Sequence, residues 1–157
     1  MSKTPSQPIS PDTLPDNYDF SAQVGHLLRR AYQRHVAVFQ QLMPDEQLTA
    51  VQFVVLCAVK ECGACSLSHI VKRTAIDQAT VRGIIERLKS RKLLKVGHDK
   101  TDRRKVQVSL TPEGQKLVDQ LVPHAFEITE ETVKNFNPAE RVALVYLLKK
   151  MFEGDDS

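Results

Sequence analysis

Two stretches of the chain carry side chains whose types and spacing could do chemistry. The first, "CAVKECGACSLSH", contains Cys57, Cys62, Cys65 and His69. Cys62 and Cys65 form a C-x-x-C pair followed by His69, a spacing that would suit a thiolate and imidazole metal site or a dithiol switch. The plainer reading is a helix end, a glycine stop and two small semi-buried residues, and three arguments favour it. Cys62 falls near a helix C-terminus, where the helix dipole does not stabilise a thiolate. Cys57 falls within an apolar helix, an ordinary place for a buried thiol. A fourth strong ligand is missing. No metal and no cofactor are assigned on these grounds.

The second stretch, "HDKTDRRKVQVSLTPEG" over residues 98–114, sets Arg103, Arg104 and Lys105 in a polar turn that runs into an alternating strand. A turn that only reverses the chain needs no cluster of long cations, whereas one that meets a polyanion does. Enzymatic chemistry finds no support. The chain has no H-E-x-x-H, phosphate-binding loop or G-x-S-x-G, and its five His are scattered.

Charge distribution agrees with a polyanion partner. The net charge of the 157 residues is only +3. Residues 66–108, however, hold twelve Lys/Arg against four Asp/Glu, and the remainder holds ten against fifteen. A basic centre in an acidic remainder marks a local anion-binding face that repels nucleic acid elsewhere. The length suits one domain with a real core. No apolar run approaches the roughly 20 residues of a membrane span. The N-terminus "MSKTPSQPISPDTLPDN" lacks the apolar core of a signal peptide, so a cytoplasmic location is expected.

The elements that must position these residues follow from periodicity. Residues 1–17 hold four of the eight prolines and read as a disordered or extended arm. From Tyr18 a helix of more than six turns is expected up to Pro44, with an apolar stripe through Phe20, Val24, Leu27, Leu28, Ala31, His35, Val38, Phe39 and Leu42. Such length exceeds what one small domain needs, so a partner subunit is expected to cover part of it. A second helix runs from a Thr49 cap to a Gly63 stop, apolar nearly all round and hence central. A short helix, "SLSHIVKRTA", turns its Leu67, Ile70 and Val71 inward. Asp77 then caps a further helix with Val81, Ile84, Ile85 and Leu88 inside, and Ala79, Gly83, Glu86 and Ser90 outside. "LLKVGH" and "KVQVSL" form a hairpin around the cationic turn. Thr111 and Pro112 open another helix, expected to continue towards Phe136 with a kink at Pro123. Asn137 to Glu140 is a capping box for the last helix, striped with Val142, Val145, Leu148 and Met151. The last residues, 153–157, form a frayed tail.

Two short helices and then a hairpin is the order of a winged helix-turn-helix. The fold class is mainly α with a small β-hairpin wing. Ala79 and Gly83 keep the reading helix slim enough for a major groove, and Gln78, Thr80 and Arg82 bring donors and acceptors near its N-terminus. Lys100, Arg103 and Arg104 at the hairpin tip would follow the DNA backbone and enter a minor groove. Asp102 would hold one of these arginines by a charge-assisted hydrogen bond. Ser68 of the short helix and Arg87 of the reading helix complete the expected DNA-binding set.

The chain resembles the MarR family of bacterial transcription regulators. The resemblance lies in "LTAVQFVVLCAV", "IDQATVRGIIERLKSRKLLKV" and "DRRKVQVSLTPEGQKL", with the Asp-x-Arg wing signature on Asp102 and Arg104. It implies a single MarR-like domain over residues 18–152, with N- and C-terminal dimerisation helices (18–48 and 112–152) and a winged DNA-binding lobe (49–111). It further implies a homodimer on a roughly palindromic double-stranded DNA operator, usually repressing, and no membrane association. Many members bind a small aromatic acid or phenol between the two layers, which weakens DNA binding. Arg30, Tyr32, His35 and Phe53 are the expected effector contacts, since a cation, an imidazole and aromatic walls suit a planar carboxylate. Regulators of aromatic or pyridine carboxylate breakdown, nicotinate-type pathways included, are the nearest subgroup. Two features depart from the family pattern. Ala79 stands where Ser is common, and Gly83 where Arg is frequent, with Arg82 one position earlier. The alternative is a thiol- or metal-responsive regulator on the same scaffold, using Cys62 and Cys65.

Overall fold

Thr49 starts the helix around which the lobe is built. Its side chain accepts from the Gln52 N–H, and the Gln52 side chain accepts in return from the Thr49 N–H, a reciprocal cap that satisfies two orphan donors. The structure, a computed structural model, describes residues 17–153. The expected arm and tail lie outside the described residues, apart from Asn17 and Glu153. The chain divides into two compact units, Met1–Arg34 and His35–Ser157.

In the first unit Asp19 caps a single 3-10 turn at Phe20–Ala22, accepting from the Ser21 N–H and hydroxyl. The Phe20 ring stands edge-on to His26 at 5.2 Å. The long helix α1 covers Val24–Leu42 and so begins later than the expected start at Tyr18. Asp19 and Ser21 satisfy each other locally in a turn, and this local bonding competes with helix propagation. The helix is therefore about five turns long instead of more than six.

The second unit holds the core. Helix α2 (Ala50–Cys62) stops at Gly63, whose φ of +84° is open to glycine at little cost. Strand β1 (Ala64–Cys65), α3 (Leu67–Thr74), α4 (Gln78–Ser90), β2 (Leu94–His98) and β3 (Val106–Leu110) follow in order. Val55, Leu56 and Val59 of α2 have no exposed surface, and neither do Ile70, Val81 and Leu88 of the next two helices. The inward stripes expected for α3 and α4 are the ones observed. The sheet has three strands where a two-stranded hairpin was expected. β3 lies between β2 and β1, with Val96 opposite Val108 on one side and Cys65 opposite Val108 on the other. β1 is only two residues long, too short to register as an alternating pattern.

Helix α5 (Pro112–Thr132) is capped by Thr111, with Pro112 at its start, and it runs unbroken past Pro123 to Thr132, short of Phe136. Thr111 fastens this helix to the sheet. Its hydroxyl donates to Lys92 O at 2.6 Å, its N–H donates to Leu93 O, and its oxygen accepts from the Gly114 N–H. Helix α6 (Pro138–Glu153) opens on the expected Asn137/Glu140 box, each side chain accepting from the other's N–H at 2.9 Å. α6 buries none of its residues within this chain, and Val142, Val145, Tyr146, Leu147, Met151 and Phe152 are all more than half exposed.

Gly114 explains the last residue of the Thr-Pro-Glu-Gly run. A Cβ there would lie 2.0 Å from Leu93 O, which is backbone and cannot swing aside. Gly114→Ala should lower the unfolding free energy by about 3 kcal/mol, the upper end for overpacking. Chemical denaturation at fixed protein concentration measures this, and an unchanged midpoint would contradict the packing.

Candidate nucleic-acid interface

The reading helix is aimed by the turn before it. Ala75 caps the C-terminus of α3 with φ +56°, a left-handed conformation that normally favours glycine or asparagine. The chain then reaches Asp77, whose carboxylate accepts from the Thr80 N–H at 2.9 Å and from the Thr80 hydroxyl at 2.6 Å. These bonds hold the Asp77 carboxyl below its usual range, the hydroxyl bond first. Thr80 is therefore partly committed to the cap, and its oxygen lone pairs are what remain to meet a base edge.

Along the outer face of α4, Gln78, Ala79, Arg82, Gly83, Glu86 and Arg87 are exposed, while Val81, Ile84, Ile85 and Leu88 are buried. A Cβ added at Gly83 would meet nothing within 4 Å. The slimness of this face therefore serves no packing inside the chain. Between α3, α4 and the wing lies an open cleft of about 650 Å³. Ser66, the cap of α3, Ser68 of that helix, Gln78, Arg82 and Glu86 of the reading helix, and Arg104 and Lys105 of the wing line it, over an apolar floor of Leu67, Ile85, Val96, Val106 and Val108. Three cations and several hydroxyl and amide groups thus converge on one concave surface, the composition that grips a phosphate backbone and reads beside it.

The wing is held by Asp99, which the sequence reading passed over. Its Oδ1 accepts from the Thr101 N–H, the Thr101 hydroxyl and the Asp102 N–H, while Oδ2 accepts from the Gln107 amide at 2.8 Å. Bonding to the Thr101 side chain, then to the backbone N–H groups, keeps the Asp99 carboxyl below its usual range. The signal was present as an Asp-x-Thr turn, in which an Asp side chain bonds the backbone two residues on. Asp102 acts differently from expectation. Its carboxylate accepts from the backbone N–H of Arg104 at 3.0 Å, not from an arginine side chain. A short acidic side chain two residues before an N–H closes this ring more readily than it reaches a long guanidinium.

The other expected DNA contacts are spread unequally. Lys100 and Arg103 are exposed on the turn but do not line the cleft, and Lys105 does. Arg87 is exposed but lies away from the cleft, beside Gln47, Gln52, Ser90 and Arg91. Among the described residues, ion pairs engage Arg73 with Glu61, Arg91 with Asp45 and Arg141 with Glu130. None engages Arg82, Arg103 or Arg104, so these cations of the reading helix and wing are left for an outside partner, while the charge of Lys105 also acts on Asp99.

The expected effector residues fall on two elements. Arg30 and Tyr32 are exposed on the part of α1 that belongs to the first unit. His35 is half-buried, and its Nδ1 lies 3.1 Å from the Thr132 hydroxyl. Burial pushes the His35 imidazole below its usual range, so it is neutral at pH 7. Phe53 is a core residue, 8% exposed and tilted against the Phe39 ring at 6.0 Å. The cysteine stretch is more organised than a plain helix end. Cys62 and Cys65 are joined as a disulfide, and their sulfurs lie within 4.8 Å of a His69 ring nitrogen. Burial pushes the Cys57 thiol up, away from the thiolate form.

Comparison with known proteins places these features in context. The model of the MarR family matches residues 48–106. The HTH-type transcriptional repressor NicR of Pseudomonas putida is 50% identical over 155 residues, covering 97% of this chain and 98% of that protein. A solved structure of Bordetella bronchiseptica BpsR, reported for regulation of its DNA binding by 6-hydroxynicotinic acid, is 68% identical with a TM-score of 0.83, covering 88% of this chain and 99% of that one. E. coli MarR complexed with operator DNA has the same fold at 24% identity, with a TM-score of 0.78 over 86% of this chain and 99% of that one.

Two substitutions separate the roles of the cleft cations. Arg104→Ala should weaken operator binding and make its salt dependence shallower by about one counterion. Arg82→Ala should reduce discrimination between operator and random DNA by about 1–3 kcal/mol, as loss of a base-edge contact does. Fluorescence anisotropy over a salt series measures both. Wild-type affinity and slope in a folded Arg104→Ala protein would contradict the wing assignment.

Proposed function

From the fact that this chain belongs to the MarR family, we infer that it is a homodimeric transcriptional repressor, released from its operator by a small hydroxylated aromatic or pyridine carboxylate. The single observation that carries the reading is the cleft in which Arg82 of α4 converges with Arg104 and Lys105 of the wing, with no ion pair engaging any of them among the described residues. The protein is a regulator and not an enzyme. No described helix is long and apolar enough to cross a membrane, and we propose the cytoplasm, where the DNA is, as its location.

The dimer follows from family and physics together. α6 leaves a row of large apolar side chains in water, and an exposed patch of this kind on a regulator is the half-interface of a symmetric pair. We propose that residues 18–48 and 112–152 form the dimer layer and residues 49–111 the DNA-binding lobe. On DNA, Gln78, Thr80 and Arg82 face base edges, with Ser68, Arg87, Lys100, Arg103 and Arg104 on the backbone or in a minor groove.

6-Hydroxynicotinic acid, named for BpsR, supports the chemistry of the effector: a flat ring, a carboxylate and a ring hydroxyl. The candidate contacts suit such a molecule by their own chemistry. Arg30 offers a fork of donors to a carboxylate, Tyr32 offers an aromatic face, and neutral His35 exchanges a hydrogen bond with a hydroxyl. Phe53 would contribute as a rigid wall from the core. A ligand that prefers a spacing of the two reading helices other than one DNA turn weakens DNA binding by its differential affinity for the two forms, and by no more.

Two measurements test this reading. A panel of benzoate-, salicylate- and pyridine-carboxylate-type compounds, 6-hydroxynicotinic acid among them, should include one that dissociates the operator complex. Arg30→Ala or His35→Ala should blunt that response without lowering DNA affinity. No response to any panel member would contradict the effector class. Removal of residues 137–157 should give monomers or insoluble protein by light scattering. A soluble dimer of the shortened chain that still binds two half-sites would contradict the dimer assignment.

A further inference from the structure

Cys62, Cys65 and His69 come from three different elements. Cys62 is the last residue of α2, Cys65 lies in β1, and His69 belongs to the first turn of α3. The backbone between them is pinned at every step. The Gly63 N–H donates to Val59 O at 2.9 Å and turns the chain. β1 pairs with β3 through Ala64 opposite Ser109 and Cys65 opposite Val108. The Ser66 hydroxyl accepts from the His69 N–H at 3.2 Å. One ligand atom from each of the three side chains falls within 4.8 Å of the other two. The Cα atoms of the two cysteines are 5.8 Å apart, a spacing that serves a disulfide and a two-sulfur chelate alike.

We propose that, with the cysteines reduced, this corner binds a thiophilic divalent cation of the zinc type through Cys62 Sγ, Cys65 Sγ and one ring nitrogen of His69. Two thiolates and an imidazole are a donor set that zinc prefers, and a fourth position is left for water. Binding releases two thiol protons, and two thiolates balance the charge of the ion, so the basic face of α3 and α4 keeps its net charge. Cys65 is 1% exposed and anchors the inner side of the site, while His69 is exposed and closes it from the solvent side. A protein that works on DNA sits in a reducing compartment, where a C-x-x-C pair serves metal binding or redox chemistry far more often than a structural disulfide. The ion would staple the end of the central helix to the start of the helix-turn-helix. Its ligands are none of the residues proposed for the effector.

The test uses the full-length protein kept reduced with a phosphine and freed of metal with a chelator, so its outcome does not depend on the regulator reading. Cobalt(II) should give thiolate charge-transfer absorption and the visible bands of a tetrahedral site, saturating at one ion per chain. Zinc(II) should displace it without further proton release, whereas zinc added to the metal-free reduced protein should release two protons and raise Tm. Cys62→Ser and Cys65→Ser should each abolish the bands, and Cys57→Ser should leave them intact. His69→Gln should weaken binding by more than about tenfold, at least the loss seen when only an outer partner of a ligand is removed. Circular dichroism checks that each variant is folded, and Cys62→Ser, at a less buried position, keeps the test available if Cys65→Ser is not. The proposal is overturned by the absence of thiolate bands in the reduced wild type, by bands that survive Cys62→Ser, or by a Cys62–Cys65 disulfide that persists in a cytosolic glutathione buffer.

Discussion

The winged lobe depends on the burial of one helix. α2 is enclosed by α3, α4, β1, β3 and α5, and Val55, Leu56 and Val59 along it have no exposed surface. Each fully buried side chain of this size contributes about 1.5–3 kcal/mol. More important for function, a close-packed interior permits few arrangements. α4 cannot rotate about its axis without withdrawing Val81 and Leu88 from this core, so the face carrying Gln78 and Arg82 points outward by necessity. The reading surface is the polar side of a helix whose apolar side has no alternative.

The wing obeys a different constraint. It has little apolar burial beyond its base, since Val96 and Val106 are more than a third exposed and Leu94 and Val108 are the enclosed residues of its two strands. Its tip is shaped by polar bonding to Asp99 and by two backbone bonds, from the Asp99 N–H to Lys105 O and from the Lys105 N–H to Asp102 O. An anion that has spent its acceptor capacity on the loop is at the centre of the most cationic turn in the chain. This arrangement leaves the arginines extended towards an outside partner. The Thr111 cap and the cramped Gly114 then hold the start of α5 against Lys92 and Leu93, just ahead of β2, so the wing and the helix that leads away from it are connected through a few backbone groups.

Where apolar periodicity governs, the sequence was sufficient. The buried stripes of α2, α3 and α4, the Thr49, Asp77 and Thr111 caps, the Gly63 stop and the Asn137 box are where pattern and capping chemistry put them. It was insufficient where structure rests on few residues or on polar detail. β1 is two residues long and carries no alternation. Asp19 and Ser21 make a local turn in place of helix at residues that continue the apolar stripe. At the wing, residue types pointed to a cationic tip, but pattern cannot tell that both nearby aspartates bond backbone N–H groups in place of a guanidinium. The convergence of Cys62, Cys65 and His69 depends on a glycine turn and a strand pairing, neither of which spacing alone determines. The long exposed stripes on α1 and α6 were legible as apolar, and the proposed second copy of the chain is what would cover them.

The central claim is that two slim reading helices enter successive major grooves while the flanking wings take the minor grooves. Hydroxyl-radical footprinting of the wild-type protein on the DNA upstream of its own gene tests it most directly. Two symmetric zones of protection are expected, with centres about one helical turn, roughly 34 Å, apart, each bordered by protected minor-groove sugars. A single zone, or uniform protection without symmetry along the fragment, would contradict it.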